Sequence, residues 1–118
     1  KQHEIIFYYG DFGGDKTLRG DIWEMKRQKN TVHPTMKPVE LIDMAMVDQP
    51  DKKKVYDGFG GSGSTLISCE KNHRECYMME LDPKYCDVII KRWQEYTGKQ
   101  ATLDGVTFDE VSKNRQTI

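Results

Sequence analysis

Apolar positions in this chain come in short runs whose spacing changes from segment to segment. Glu4–Tyr9 (EIIFYY) is an apolar and aromatic run closed by Gly10, the pattern of a strand. Gly10–Gly20 is rich in glycine and charge and reads as a loop. Asp21–Met25 (DIWEM) reads as a second short extended piece, and Lys26–Thr35 is polar up to a proline-flanked turn. Pro38 then opens a helix, since a first-turn proline loses no hydrogen bond. Val39, Leu41, Ile42, Met44, Ala45, Met46 and Val47 give that helix its apolar face, and it ends before Pro50. After the charged turn Asp51–Lys54, a strand at Lys54–Tyr56 leads into Asp57.

The pattern then alternates. Ser64–Lys71 (STLISCEK) predicts a helix, Asn72–Glu75 a turn and Cys76–Leu81 (CYMMEL) an apolar strand. Asp82 and Pro83 form an N-cap and first-turn pair. The helix they start carries Tyr85, Val88, Ile89, Ile90, Trp93 and Tyr96 at helical spacing and stops at Thr97–Gly98. Short strands are expected near Ala101–Leu103 and Val106–Phe108, followed by a polar, frayed end. Helix, strand, glycine loop, helix, strand, helix is the order of a parallel α/β sheet. The 118 residues suit one domain, read as 1–37 of upstream strands and approach, 38–103 of α/β core and 104–118 of tail.

Composition changes this picture little. The net charge of −1 gives no global pull toward a polyanion, so any DNA contact has to come from a local patch. The nearest to one is Lys16, Arg19, Lys26, Arg27 and Lys29, a cluster that is on physics alone a solvated loop before it is a phosphate contact. Cys69, Cys76 and Cys86 are odd in number and form no CxxC, which points to reduced thiols in a cytoplasmic protein. His3, His33 and His73 lack zinc-like spacing, so no metal site is expected. No apolar stretch is long enough to cross a membrane as a helix.

The candidate chemistry sits in Asp57–Thr65 (DGFGGSGST). Glycines directly before a helix let the backbone turn sharply and approach a ligand, and the helix start offers unpaired N–H groups. On its own this is either a nucleotide-type site or a tight strand-to-helix turn. No GK[ST] follows, which excludes a phosphate-binding P-loop, and the third glycine departs from GxGxxG. Glu80 follows about 20 residues later, where a carboxylate can accept both hydroxyls of a ribose; the alternative is a solvated strand-end charge.

DGFGGSGST closely resembles the D-P-F-x-G-S-G-[ST]-T loop of the β-group of DNA amino-methyltransferases, which methylate adenine N6 or cytosine N4. His33–Pro38 (HPTMKP) resembles the element that precedes that loop, and the segment from Cys76 to Lys99 resembles the one that follows it. Gln2–Phe7 and Asp21–Glu24 are similar to weaker upstream motifs, so the resemblance covers about residues 1–103. Gly58 departs from the family's proline and leaves the loop entry less rigid. The resemblance implies a Rossmann-like S-adenosylmethionine-dependent fold, partial here. It further implies that Asp57 orients the cofactor's methionyl amino group. Phe59, Gly61, Ser62 and Gly63 then line the cofactor, and Ser64 caps the helix beside it. Thr35 and Lys37 lie near the cofactor carboxylate, although physics alone makes Lys37 a solvated lysine. Glu80 binds the ribose and the Leu81–Asp82 segment flanks the adenosine.

That family also needs a catalytic [DNS]-P-P-[YFW] motif, whose aromatic ring stacks on a flipped base. Pro34, Pro38, Pro50 and Pro83 are the only prolines and no two adjoin, so no catalytic residue is assigned. The expectation is the cofactor-binding part of a DNA methyltransferase, of phage, prophage or restriction–modification type. Adenine is favoured over cytosine as its target, and the part is inactive alone. Its partners would be DNA and a second copy or a complementing catalytic chain. The alternatives are one half of a split enzyme and a remnant that binds cofactor or a partner without catalysis.

Overall fold

The structure, a computed structural model, describes residues 37–116. The expected strand at Glu4–Tyr9, the loop after it and the DIWEM piece lie outside the described residues. Helix α1 (Val39–Val47) starts one residue after the expected position. Pro38 is its N-cap, held extended at ψ 135°, and Met46 is its buried residue. Strand β1 (Lys54–Asp57) and strand β2 (Glu75–Met78) pair in parallel, Val55 with Cys76 and Tyr56 with Tyr77. A parallel pair cannot be closed by a tight turn. Here helix α2 (Ser64–Lys71) makes the crossover, with the bounds the sequence predicts.

Helix α2 lies at the centre of this arrangement, against α1 on one side and helix α3 (Pro83–Thr97) on the other. Its Ile67, Ser68 and Cys69 are buried, and Ile67 and Cys69 join Met46, Ile89 and Phe108 as the buried apolar residues among those described. Burial pushes the Cys69 thiol up to about 12, so it stays protonated and unreactive. Along β1 and β2 the side chains alternate. Val55 and Cys76 turn inward, while Tyr56 and Tyr77 are 69% and 54% exposed on the outer face.

Two corrections to the sequence reading follow. Strand β2 stops at Met78 and not at Leu81, because β1 offers no partner beyond Asp57. Glu80 therefore stands on the segment after the strand. The expected frayed end is instead helix α4 (Phe108–Gln116), preceded by the two-residue strands β3 (Thr102–Leu103) and β4 (Val106–Thr107). Phe108 begins that helix and is buried. The Thr107 hydroxyl accepts the Glu110 N–H, acidic residues occupy the first turn and basic ones the last, and Arg115 reaches Asp87.

Polar clamps fix the helices around β1 and β2. The Arg74 guanidinium donates to the carbonyls of Met46, Gln49 and Lys52, closing the end of α1 and the turn after it. Asp43 on α1 accepts from Ser68, Lys71 and Asn72. Burial works against the charged Asp43 carboxylate, but these hydrogen bonds outweigh it and hold its pKa below the ordinary 3.8. A carboxyl depressed on folding adds stability that is complete above its unfolded pKa and is lost as pH falls through its folded one. Urea unfolding from pH about 6 down to about 2 is therefore expected to show a steeper loss in the wild type than in Asp43→Asn. Equal losses would remove Asp43 as a source of acid sensitivity.

Candidate functional site

Where β1 ends, the backbone enters a turn bonded at each step. The Asp57 carboxylate accepts the Phe59 N–H at 2.9 Å, a local bond that bends the chain immediately after the strand. The Asp57 carbonyl accepts from Met79 N–H at 2.9 Å, and Gly60 N–H donates to the Met79 carbonyl at 2.8 Å. The β1–β2 pairing is thus prolonged, one bond at a time, by the segment that carries Glu80. Gly63 N–H then donates to the Gly60 carbonyl at 2.9 Å and closes the turn.

The glycines here do two different things. Gly60 faces Met78 of β2 and Ile89 of α3, and Gly63 faces Ile89. A Cβ on Gly60 would lie 2.8 Å from Met78 and 3.1 Å from Ile89, and one on Gly63 would lie 3.2 Å from Ile89. Gly63 also has φ +88°, a conformation side chains rarely adopt. Gly61, at φ +57°, faces the other way, where a Cβ would meet nothing closer than the Phe59 carbonyl at 4.0 Å. Phe59, two residues before Gly61, and Leu81, next to Glu80, are 92% and 97% exposed.

Glu80 reaches across to this turn. One carboxylate oxygen accepts the Gly61 N–H at 2.8 Å and the other the Asp82 N–H at 2.8 Å. The Cys86 thiol donates to the Glu80 carbonyl from the first turn of α3. Asp82 is the α3 N-cap, its carboxylate accepting the Lys84 N–H. Asp57, Glu80 and Asp82 are therefore brought to one end of the two strands, around the glycine turn.

Ser62 and Ser64 are buried at the foot of the turn. The expectation that Ser64 caps α2 is corrected: Gly63 is the N-cap, without a side-chain bond, and Ser64 is the first helical residue. Its hydroxyl donates instead to the Lys37 carbonyl at 2.7 Å, which seats the end of HPTMKP against the glycine turn. The Lys37 side chain is exposed. Thr35 and the basic residues Lys16, Arg19, Lys26, Arg27 and Lys29 lie outside the described residues.

Sequence reasoning missed Arg92. Its guanidinium donates to the Ser62 carbonyl at 3.1 Å and to the Ser64 hydroxyl at 3.2 Å. Burial pulls its pKa below the ordinary arginine value. The available signal was a cation three residues after Ile89, on the inward side of an otherwise apolar helix face. Among the described residues no cluster of His, Cys, Asp and Glu could hold a metal ion, and no helix is long and apolar enough to cross a membrane.

Comparison with known proteins bears on this geometry. The profile of a family described as DNA methylase, of the N6 and N4 type, matches residues 12–92, more than half of the chain. The chain is 27% identical over 97 residues to the orphan methyltransferase M.BamHII of Bacillus amyloliquefaciens. That match takes in 75% of this chain and 37% of the relative, so the chain spans well under half of the relative's length. No solved structure matches.

Proposed function

Because the chain belongs to this DNA methylase family, we propose that its glycine turn and Glu80 form the S-adenosylmethionine-binding part of a DNA methyltransferase. The observation that carries the reading is the Glu80 carboxylate, tied to Gly61 and Asp82 beside the open face of the turn. A carboxylate only accepts hydrogen bonds and has about four acceptor positions, the chemistry that a ribose diol needs. The two bonds fix its plane before any ligand arrives, so a ribose diol meets an acceptor already oriented.

The residues around the turn suit the same ligand. Phe59 and Leu81 offer exposed apolar surface for the adenine, and Gly61 leaves the backbone bare where the ligand would pass. Asp57, at the end of β1, supplies a carboxylate for the methionyl amino group. Ser62, Gly63 and Ser64 set the path of the backbone past the cofactor, and Asp82 holds α3 next to the adenosine. In this reading Lys37, whose carbonyl Ser64 holds, serves the cofactor carboxylate, a role it shares with Thr35. When bound, the cofactor supplies an electrophilic methyl group.

The methyl acceptor in this reading is an exocyclic amino nitrogen of DNA, adenine N6 before cytosine N4. The basic residues between Lys16 and Lys29 contribute phosphate contacts. The Pro-Pro catalytic tetrapeptide is not among these 118 residues, so we assign them cofactor binding and leave activation of the base to a separate segment or chain. Calorimetric titration of the full chain with S-adenosylhomocysteine is expected to show one saturable site. Absence of heat at millimolar ligand would overturn the reading.

A further inference from the structure

We propose that Arg92 is a positioning residue: its guanidinium sets the conformation of the glycine turn and, through Ser64, couples the turn to the Lys37 segment. The effect on ligand affinity rests on the cofactor reading above, whereas the effect on the turn does not.

The Ser62–Gly63 peptide is held at both ends. Its carbonyl accepts from Arg92 Nη1 at 3.1 Å, and its N–H donates to Gly60 at 2.9 Å. The same Nη1 lies 3.4 Å from the Ser62 hydroxyl and 3.2 Å from that of Ser64. The Ser64 hydroxyl passes the connection on to the Lys37 carbonyl at 2.7 Å. One nitrogen on α3 thus joins the two serines on either side of Gly63, and through them the chain before α1.

Ile89 stands one helical turn before Arg92 and presses on Gly63, so α3 meets the turn at two points, an apolar stop and a polar clamp. The electrostatics argue against an incidental contact. A cation at the start of α2 faces the positive end of that helix dipole, and this one is also partly stripped of water. Both effects work against a charge here and have to be offset by the bonds that the guanidinium makes. A planar guanidinium can hold a carbonyl and hydroxyls in one fixed geometry, which a point charge cannot.

The test combines residue-resolved amide hydrogen exchange with calorimetry on the full chain, using Arg92→Met, Arg92→Lys and Ser64→Ala. In Arg92→Met, exchange at Gly61, Ser62 and Gly63 is expected to accelerate about tenfold or more while the Cys69 amide, inside α2, keeps its protection. Affinity for S-adenosylhomocysteine is expected to fall about tenfold. Arg92→Lys restores part of both, which loss of a merely structural contact would not predict. Ser64→Ala loosens the Lys37 segment and leaves the Ser62–Gly63 peptide protected.

A folded Arg92→Met chain with unchanged exchange in the turn would overturn the proposal. If that variant does not fold, unchanged exchange of the turn in Arg92→Lys together with unchanged exchange of the Lys37 segment in Ser64→Ala would do so. A wild-type chain that binds no S-adenosylhomocysteine would sink the cofactor reading alone, and the exchange data would still decide the role of Arg92.

Discussion

Replacing Glu80 with glutamine is expected to weaken S-adenosylhomocysteine binding by about ten- to a hundredfold, because a hydrogen bond to a charged group contributes about 1.5–3 kcal/mol. The substitution keeps the size of the side chain and changes its chemistry at both ends. Each carboxylate oxygen now accepts a backbone N–H, one from Gly61 and one from Asp82. An amide turns one of those acceptors into a donor, so an N–H of the turn or of its own segment faces another N–H. The amide also removes the charge that would strengthen each bond to a ribose. Calorimetry reads the loss in affinity and a thermal melt reads the loss in stability. Unchanged affinity would mean that the ligand lies elsewhere on the chain.

Gly63→Ala is expected to be the most damaging single substitution for stability, at about 2–4 kcal/mol, from two additive causes. A left-handed backbone costs a residue with a Cβ about 1–2 kcal/mol. The new methyl would also lie 3.2 Å from two atoms of Ile89, which is buried. Gly98 provides the control. It has a similar φ of +72°, but a Cβ there meets nothing within 4 Å. Urea unfolding of Gly63→Ala and Gly98→Ala therefore separates backbone strain from steric contact. Equal losses in the two variants would show that α3 yields and that Gly63 is needed only for its backbone. A loss of several kcal/mol is a large share of a small domain's stability.

The features legible in the sequence were those signalled within a few residues. Helix α2 was readable because glycines precede it and a charged turn follows. Helix α3 was readable because Asp82 and Pro83 start it and Gly98 stops it in a left-handed conformation. The end of β2 was not. CYMMEL is apolar except for Glu80, and where that strand stops is decided by where its partner stops, 21 positions earlier in the chain at Asp57. Helix α4 was hidden by its polar composition, since a single buried side chain, Phe108, anchors its start.

The site divides in the same way. Asp57, Glu80 and the glycines were visible as letters at a telling spacing. What each glycine does was not, because Gly60 and Gly61 look alike until Met78 and Ile89 are seen to close on one of them. Arg92 was invisible for a related reason. Its importance comes from which face of α3 meets the turn, a fact of packing that no local pattern carries. The same holds for Ser64, whose neighbours suggest a cap and whose hydroxyl instead bonds to a carbonyl 27 residues away in the chain.

The turn between α1 and β1 bears on how this protein can be altered. Asp48–Lys53 is a run of polar residues with a proline, the kind of surface stretch where a purification tag or a fused domain is usually inserted. Arg74 makes it a poor choice, since the carbonyls of Met46, Gln49 and Lys52 all converge on that one side chain, and lengthening the stretch would pull at least one of them away. The hairpin tip at Asp104–Gly105 is better suited to cargo. A Cβ on Gly105 meets open space, and the tip belongs to the C-terminal hairpin, outside every contact described for the glycine turn.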